Sequence, residues 1–110
     1  MTDVALPDAE LDNAADRLEA LGSPVRLRIV RELVRVGENG LPVSGLQERV
    51  GVAPSTLSHH LRKLVAVDLI VQERQGTTLL CRAQYDTIRS LADFLLSECC
   101  VEDAGPAGGC

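Results

Sequence analysis

Between Gly51 and Leu64 the chain reads GVAPSTLSHHLRKL, and no other stretch restricts the possible folds as much. Gly51 closes a short helical pattern. Pro54 can open the next one, because a residue at the first helical position has no use for its N–H. From there Leu57, Leu61, Leu64 and Val65 recur at helical spacing and are expected to face the core. Ser55, Thr56, Ser58, His59, Arg62 and Lys63 are left outside that stripe, hydroxyls toward the N-terminal end and cations toward the C-terminal end. A short helix, a turn and a polar helix with one apolar edge are the sequence form of a helix-turn-helix, whose second helix enters the DNA major groove. Hydroxyls can bond base edges or phosphates, and cations can neutralise phosphates. The plainer alternative is an amphipathic helix with a solvated face. What flanks the stretch argues against it.

Upstream, Leu11, Ala14, Ala15, Leu18 and Leu21 line one face of a helix expected to start at Asp8 and stop at Gly22. Ser23 is a good cap for a second helix with Pro24 at its first position. That helix is expected to run to Val36 and end at Gly37. Leu27, Val30, Leu33 and Val34 are its inward face; Arg26, Arg28, Arg31 and Arg35 lie outside, more as a solvated face than as a DNA surface. Residues 38–42 read as a loop. Ser44 and Gln47 match a capping box for a short helix that buries Leu46 and Val50. Downstream, Leu69 to Glu73 and Thr77 to Arg82 read as two strands joined by a turn at Arg74, Gln75 and Gly76. Two strands directly after a helix-turn-helix make a wing, with Arg74 near its tip and within reach of a phosphate or the minor groove. A last helix from Asp86 carries Ile88, Leu91, Ala92, Leu95, Leu96 and Cys99 on one stripe.

The expected fold is thus mainly α with a small β-hairpin: a winged helix-turn-helix. The first and last helices carry more apolar surface than so small a unit needs, so they are expected to pair two copies, with a two-fold axis matched to a palindromic site. The 110 residues suit one domain, with residues 1–7 and 101–110 as flexible tails. Only 2% of residues are aromatic, so the core is aliphatic. No apolar run approaches a membrane span, and the acidic start MTDVALPDAELD lacks the basic and apolar regions of a signal peptide, which points to the cytoplasm and no membrane partner. The net charge of −5 taken alone speaks against nucleic acid, yet Arg49 to Arg82 holds five cations against two anions. Phosphate binding answers to that local field.

Three segments together carry a family resemblance: LGSPVRLRIVREL (Leu21 to Leu33), STLSHHLRKLVAVDLI (Ser55 to Ile70) and QERQGTTLLCRA (Gln72 to Ala83). They resemble the ArsR/SmtB family of metal-sensing winged-helix repressors, and the run Ser58, His59, His60, Leu61 is fairly specific for it. The resemblance covers residues 10–100 approximately and implies a homodimer that binds operator DNA and releases it with inducer. The family's arsenic repressors that carry a Cys-x-Cys pair before the recognition helix are not matched, since that segment here is VSGLQERV. Its zinc and nickel members use Asp, His and Glu on the last helix; this helix offers Asp86, Asp93 and Glu98 but no His. The ending SECC followed by a later cysteine resembles a subgroup of arsenic repressors with thiols at the end of the last helix. That implies Cys99, Cys100 and Cys110 as metal ligands.

The chemistry of the residues is consistent with that. Four cysteines in a reducing compartment point to metal, redox chemistry or packing rather than structural disulfides. Soft thiolates select soft ions, and three thiols leave tetrahedral zinc one ligand short. As(III) as inducer, with Sb(III) as a further candidate, takes three sulfurs; Cd, Pb and Cu(I) stay open, and no organic cofactor is implied. Adjacent Cys99 and Cys100 diverge by about 100° in a regular helix, but can converge where the helix frays. Cys81 alternates within the wing strand and reads as packing. His59 reads as a DNA contact, His60 as a helix-packing residue with a satisfied nitrogen. Two other readings remain: a thiol-based redox or sulfur-responsive repressor, with a disulfide such as Cys100–Cys110, and a small dimeric interaction protein without DNA binding. No nucleophile–base pair, phosphate-cradling glycine motif or supported carboxylate pair suggests an enzyme.

Overall fold

The computed structural model describes residues 8–103. The expected N-terminal tail and Cys110 lie outside the described residues. Helix α1 (Ala9–Leu21) begins where Asp8 Oδ1 accepts the Leu11 N–H at 3.1 Å, with Glu10 and Asp12 favourably placed in the first turn. Helix α2 (Pro24–Val36) begins at Ser23, whose hydroxyl accepts the Arg26 N–H at 3.3 Å, a cap worth about 1 kcal/mol. Strand β1 (Leu41–Pro42), α3 (Val43–Val50) and α4 (Pro54–Ala66) follow, then β2 (Ile70–Gln75), β3 (Thr78–Ala83) and α5 (Tyr85–Leu96).

The strands form one antiparallel sheet in the order β1-β3-β2, with Leu41 opposite Cys81, and Ile70 opposite Ala83 through to Gln75 opposite Thr78. Leu41 and Pro42 were expected in a loop; Leu80 and Cys81 recruit them into the sheet instead. Gly40 allows that approach. Its φ is +68°, and a Cβ there would fall on the Cys81 carbonyl oxygen. The hairpin turn is Gly76–Thr77, one step later than the expected turn. Gly76 takes the positive φ of 63° at the first central position while Thr77 does not, the pattern of a type II′ turn.

Ile29, Leu33, Leu46, Leu57, Leu64, Leu69, Ile70 and Cys81 are fully buried and knit α2, α3, α4 and the sheet together. The aliphatic core and the Leu57–Leu61–Leu64 stripe match expectation, with Val65 packed at its edge. Two faces differ. On α2 the buried residues are Arg26, Ile29, Val30 and Leu33, while Leu27 and Val34 are 44% and 43% exposed. The helix is turned by about one residue, because Arg26 finds buried partners that apolar periodicity does not register. On α1 only Ala14 and Ala20 are buried; Leu11 and Leu18 stay exposed within the protomer. The capping box of Ser44 and Gln47 is not formed: Pro42 occupies the N-cap without a side-chain bond, and Gln47 is used elsewhere. Helix α5 is capped by Gln84 rather than Asp86, and it ends at Leu96, so Cys99 lies in the turns beyond and does not extend the helical stripe.

Candidate nucleic-acid interface and thiol pair

Gly51 ends α3 in the left-handed region, φ 80°, with its N–H on the Gln47 carbonyl at 2.8 Å. The Gln47 side chain then reaches across the turn to the Val52 carbonyl at 3.3 Å. These bonds set the angle between α3 and α4. Leu57, Leu61 and Leu64 hold α4 on the core, which leaves Ser55, Thr56, Ser58, His59, Arg62 and Lys63 exposed as expected.

A cleft of 650 Å³ opens between the start of α3, helix α4 and the wing. Ser58, Arg62 and Arg74 meet there, joined by Ser44, Gln72 and Thr78. Ser55, Thr56, His59 and Lys63 lie outside the cleft. Arg74 is not at the wing tip: it pairs with Leu79 inside β2, and that places it beside α4 rather than beyond it. Gln72 was missed, although the two-residue period of a strand puts it on the same face as Arg74. Ser44 was missed because its hydroxyl was expected to be occupied as a cap.

The cations separate into two groups. Arg82 pairs with Glu73 and also donates to the Glu38 carbonyl at 3.0 Å. That bond and charge hold the Glu73 carboxyl below the usual range. On α2, Glu32 gathers Arg49 at 3.1 Å and Arg35 at 3.9 Å, and Arg28 donates to the Arg49 carbonyl at 3.3 Å. This is the solvated face expected of the arginine run. Arg62, Lys63 and Arg74 form no ion pair among the described residues. Their charge stays available to a polyanion laid along α4 and the wing.

His60 is half-buried, and Arg26 Nη1 lies 3.1 Å from its Nδ1. The guanidinium can only donate, so Nδ1 is the acceptor and unprotonated. Burial, and then the charges of Arg26, His59 and Lys63, push its pKa down from 6.5. As pH falls below 6.5, the unfolded chain takes up this proton before the folded one does. Stability therefore falls with pH in that window and levels off below the folded value. Glu73, lowered from 4.5, adds its own loss only further down. Denaturant titrations between neutral pH and about pH 5 should show stability decreasing in wild type and a flatter profile in His60→Asn; equal slopes would remove His60 as the cause.

The second feature lies beyond α5. Cys99 is an exposed free thiol, and its Sγ is 3.3 Å from Cys100 Sγ. The helix has ended, and Cys100 adopts a left-handed φ of 61°, which turns the two side chains toward each other. Cys100 is disulfide-bonded in the structure. Cys81 behaves as packing: it is fully buried, burial pushes its thiol pKa up, and Gln72 Nε2 sits 3.5 Å from Sγ. Among the described residues no group of three or more His, Cys, Asp or Glu side chains is placed to hold a metal ion. No helix of the described residues is long and apolar enough to cross a membrane.

A helix-turn-helix braced against a three-stranded wing, with free cations at their junction, defines a DNA-binding protein. The family described as a helix-turn-helix domain matches residues 21–73. The HTH-type transcriptional regulator NmtR of Mycobacterium tuberculosis is 39% identical over 87 residues, which span 74% of this chain and 68% of that protein. The arsenical resistance operon repressor of Bacillus subtilis is 34% identical over 96 residues, 86% of each chain. A possible ArsR-family regulator from Mycobacterium bovis, described as a homodimeric winged helix-turn-helix DNA-binding domain, superposes with a TM-score of 0.68 at 23% identity, covering 94% of this chain and 97% of that one. At that identity the likeness is one of fold. The chain belongs to the ArsR/SmtB family of winged-helix transcriptional repressors, which are DNA-binding regulators and not enzymes.

Proposed function

We propose that the protein is a cytoplasmic, homodimeric repressor that releases palindromic operator DNA when trivalent arsenic binds Cys99 and Cys100, with Cys110 as third ligand. The two neighbouring sulfurs carry this reading, with Cys100 acting as a ligand once its disulfide is reduced. An ion about 2.3 Å from each sulfur, the zinc–thiolate length, would subtend roughly a right angle between sulfurs 3.3 Å apart. That is narrower than tetrahedral zinc requires, and it suits a three-coordinate pyramidal ion such as As(III) or Sb(III). The similarity to an arsenical resistance operon repressor supports the same ion. Pairing of two copies is supported by Leu11 and Leu18 on α1 and Leu95 and Leu96 on α5, which are 42–70% exposed in the protomer. Two such faces bury each other across a two-fold axis. Ser55, Thr56, Ser58, His59, Arg62, Lys63 and Arg74 are the DNA-binding residues in this reading, Arg62 and Arg74 acting together across the cleft.

Bound ion would tie the end of α5 to its own tail and alter the pairing of the protomers. A coupling of about 1–3 kcal/mol, which is typical of linked sites, would weaken operator binding about 5- to 150-fold. The test is fluorescence anisotropy on the promoter DNA upstream of the protein's own gene, with excess thiol reductant so that Cys100 is reduced. Micromolar arsenite should release wild type, and Cys99→Ser and Cys100→Ser should bind DNA but resist release. Continued release of both variants would sink the assignment. The disulfide state of Cys100 favours a second reading, a thiol-oxidation switch. It predicts release by peroxide, reversal by dithiothreitol, and no response to arsenite.

A further inference from the structure

The one buried charged side chain among the described residues is Arg26, 8% exposed, and neither DNA contact nor ion binding uses it. It stands in the first turn of α2 but bonds outside that helix. Its Nε donates to the Ala20 carbonyl in the last turn of α1 at 2.6 Å, and Nη1 donates to His60 Nδ1 on α4 at 3.1 Å. A second arginine makes a similar link. Arg17 of α1 donates from Nε to the Val67 carbonyl at 3.0 Å. Val67 is the C-cap of α4, where helix carbonyls have lost their internal partners and the helix dipole favours a cation.

We propose that Arg17 and Arg26 are positioning residues for DNA recognition, two guanidinium bridges that fix the direction of α4 relative to α1. The physical argument is leverage. His60 and Val67 are seven residues apart, about 10 Å along the axis. A single anchor leaves a helix free to pivot on a layer of aliphatic side chains, since such contacts have no direction. Two anchors 10 Å apart, at about 1.5 Å per residue, remove that freedom. Arg62 and Lys63 lie on the anchored segment, with His59 just before it, so their approach to the groove follows the orientation of α1. Direct α1–α4 packing is slight, which gives the two polar bridges a larger share of the connection. The proposal rests on α1 as the helix that pairs the protomers: the angle between the two recognition helices is then set through Arg17 and Arg26, and a change in pairing reaches the DNA by the same route.

The test needs no inducer, so it reads the bridges even if arsenite proves not to be the signal. Arg17→Met keeps most of the side-chain volume and removes the donor; Arg17→Lys keeps a donor and the charge. Arg31→Met, on an exposed α2 position, removes the same charge from a side chain with no bridge. Binding of each purified dimer to the promoter DNA and to a random-sequence duplex is measured at one salt concentration, with thermal unfolding recorded in parallel. Arg17→Met is expected to lose roughly tenfold or more in promoter affinity, because each dimer carries the change twice and the lost bond involves a charged donor. It should lose no more on random DNA than Arg31→Met does, and Arg17→Lys should recover most of the difference. His60→Leu, which removes the acceptor facing Arg26 Nη1 while Nε keeps the Ala20 carbonyl, should show the same selective loss, and His60→Asn, with an acceptor near the Nδ1 position, should restore it. A merely structural role would lower unfolding temperature without changing the promoter-to-random ratio. An unchanged ratio in Arg17→Met and His60→Leu overturns the proposal.

Discussion

Arg62→Ala is expected to weaken promoter binding by about thirtyfold or more at physiological salt. Arg62 is exposed on α4, forms no ion pair among the described residues, and shares the cleft with Arg74 and Ser58. A good arginine contact to a base edge contributes about 1–3 kcal/mol of discrimination. A two-fold dimer makes it twice, so about 2–6 kcal/mol is at stake, roughly thirtyfold to ten-thousandfold in affinity. Anisotropy titrations over a range of salt separate two roles. If Arg62 only neutralises phosphate, affinity falls on every sequence and the salt slope drops by about 2 per dimer. If it reads a base, the loss concentrates on the promoter. Unchanged affinity in Arg62→Ala and Lys63→Ala together would remove these cations from the DNA contacts; no detectable binding by wild type on any duplex would be the result expected of a dimeric interaction protein without DNA binding.

Leu57→Ala, with Leu64→Ala, should be among the costliest truncations on α4. Leu57 is fully buried within the core cluster that also contains residues of α2, α3 and the sheet. Leucine truncations at such sites cost about 2–5 kcal/mol, from lost burial and the cavity left behind. A domain of this size has about 5–15 kcal/mol in total. At roughly 4–8 °C per kcal/mol the unfolding temperature should drop by at least about 8 °C. Differential scanning calorimetry gives the number; a cost under about 1 kcal/mol would mean that α4 is not held by this stripe.

The recognition helix was legible because two independent signals coincide there. Gly51 and Pro54 mark its beginning, and Leu57, Leu61 and Leu64 mark its buried face. Where only one signal was present, the reading slipped. On α2, apolar spacing suggested Leu27 and Val34 as buried, but the helix turns to seat Arg26 against Ala20 and His60. Neither partner is visible from hydropathy. The arrangement of Ser44 and Gln47 matched a cap, yet Gln47 spends its amide on Val52 across the turn. Strand β1 is two residues long, too short for any periodicity, and exists because Gly40 lets the chain lie against Cys81.

The thiols show the same division. Their residue types and their place at the end of the last helix were plain from SECC, and soft-ion chemistry follows from composition. Their convergence was not, since adjacent helical side chains diverge. It needed α5 to stop at Leu96 and Cys100 to take a left-handed backbone. In the wing, alternation located the strands, but register decided that Arg74 stands opposite Leu79, beside Arg62 rather than at the tip.

By itself, then, the sequence determined the order of the elements, the aliphatic core, the polar face of α4 and the donor chemistry of the tail, all properties carried by neighbours three or four residues apart. The tertiary structure alone decided the cleft that joins Ser44, Gln72 and Arg74 to α4, the arginine bridges from Arg17 and Arg26, and the meeting of Cys99 with Cys100. The first two depend on groups tens of residues apart brought together, and the third on a backbone bend. Local periodicity contains no term for either.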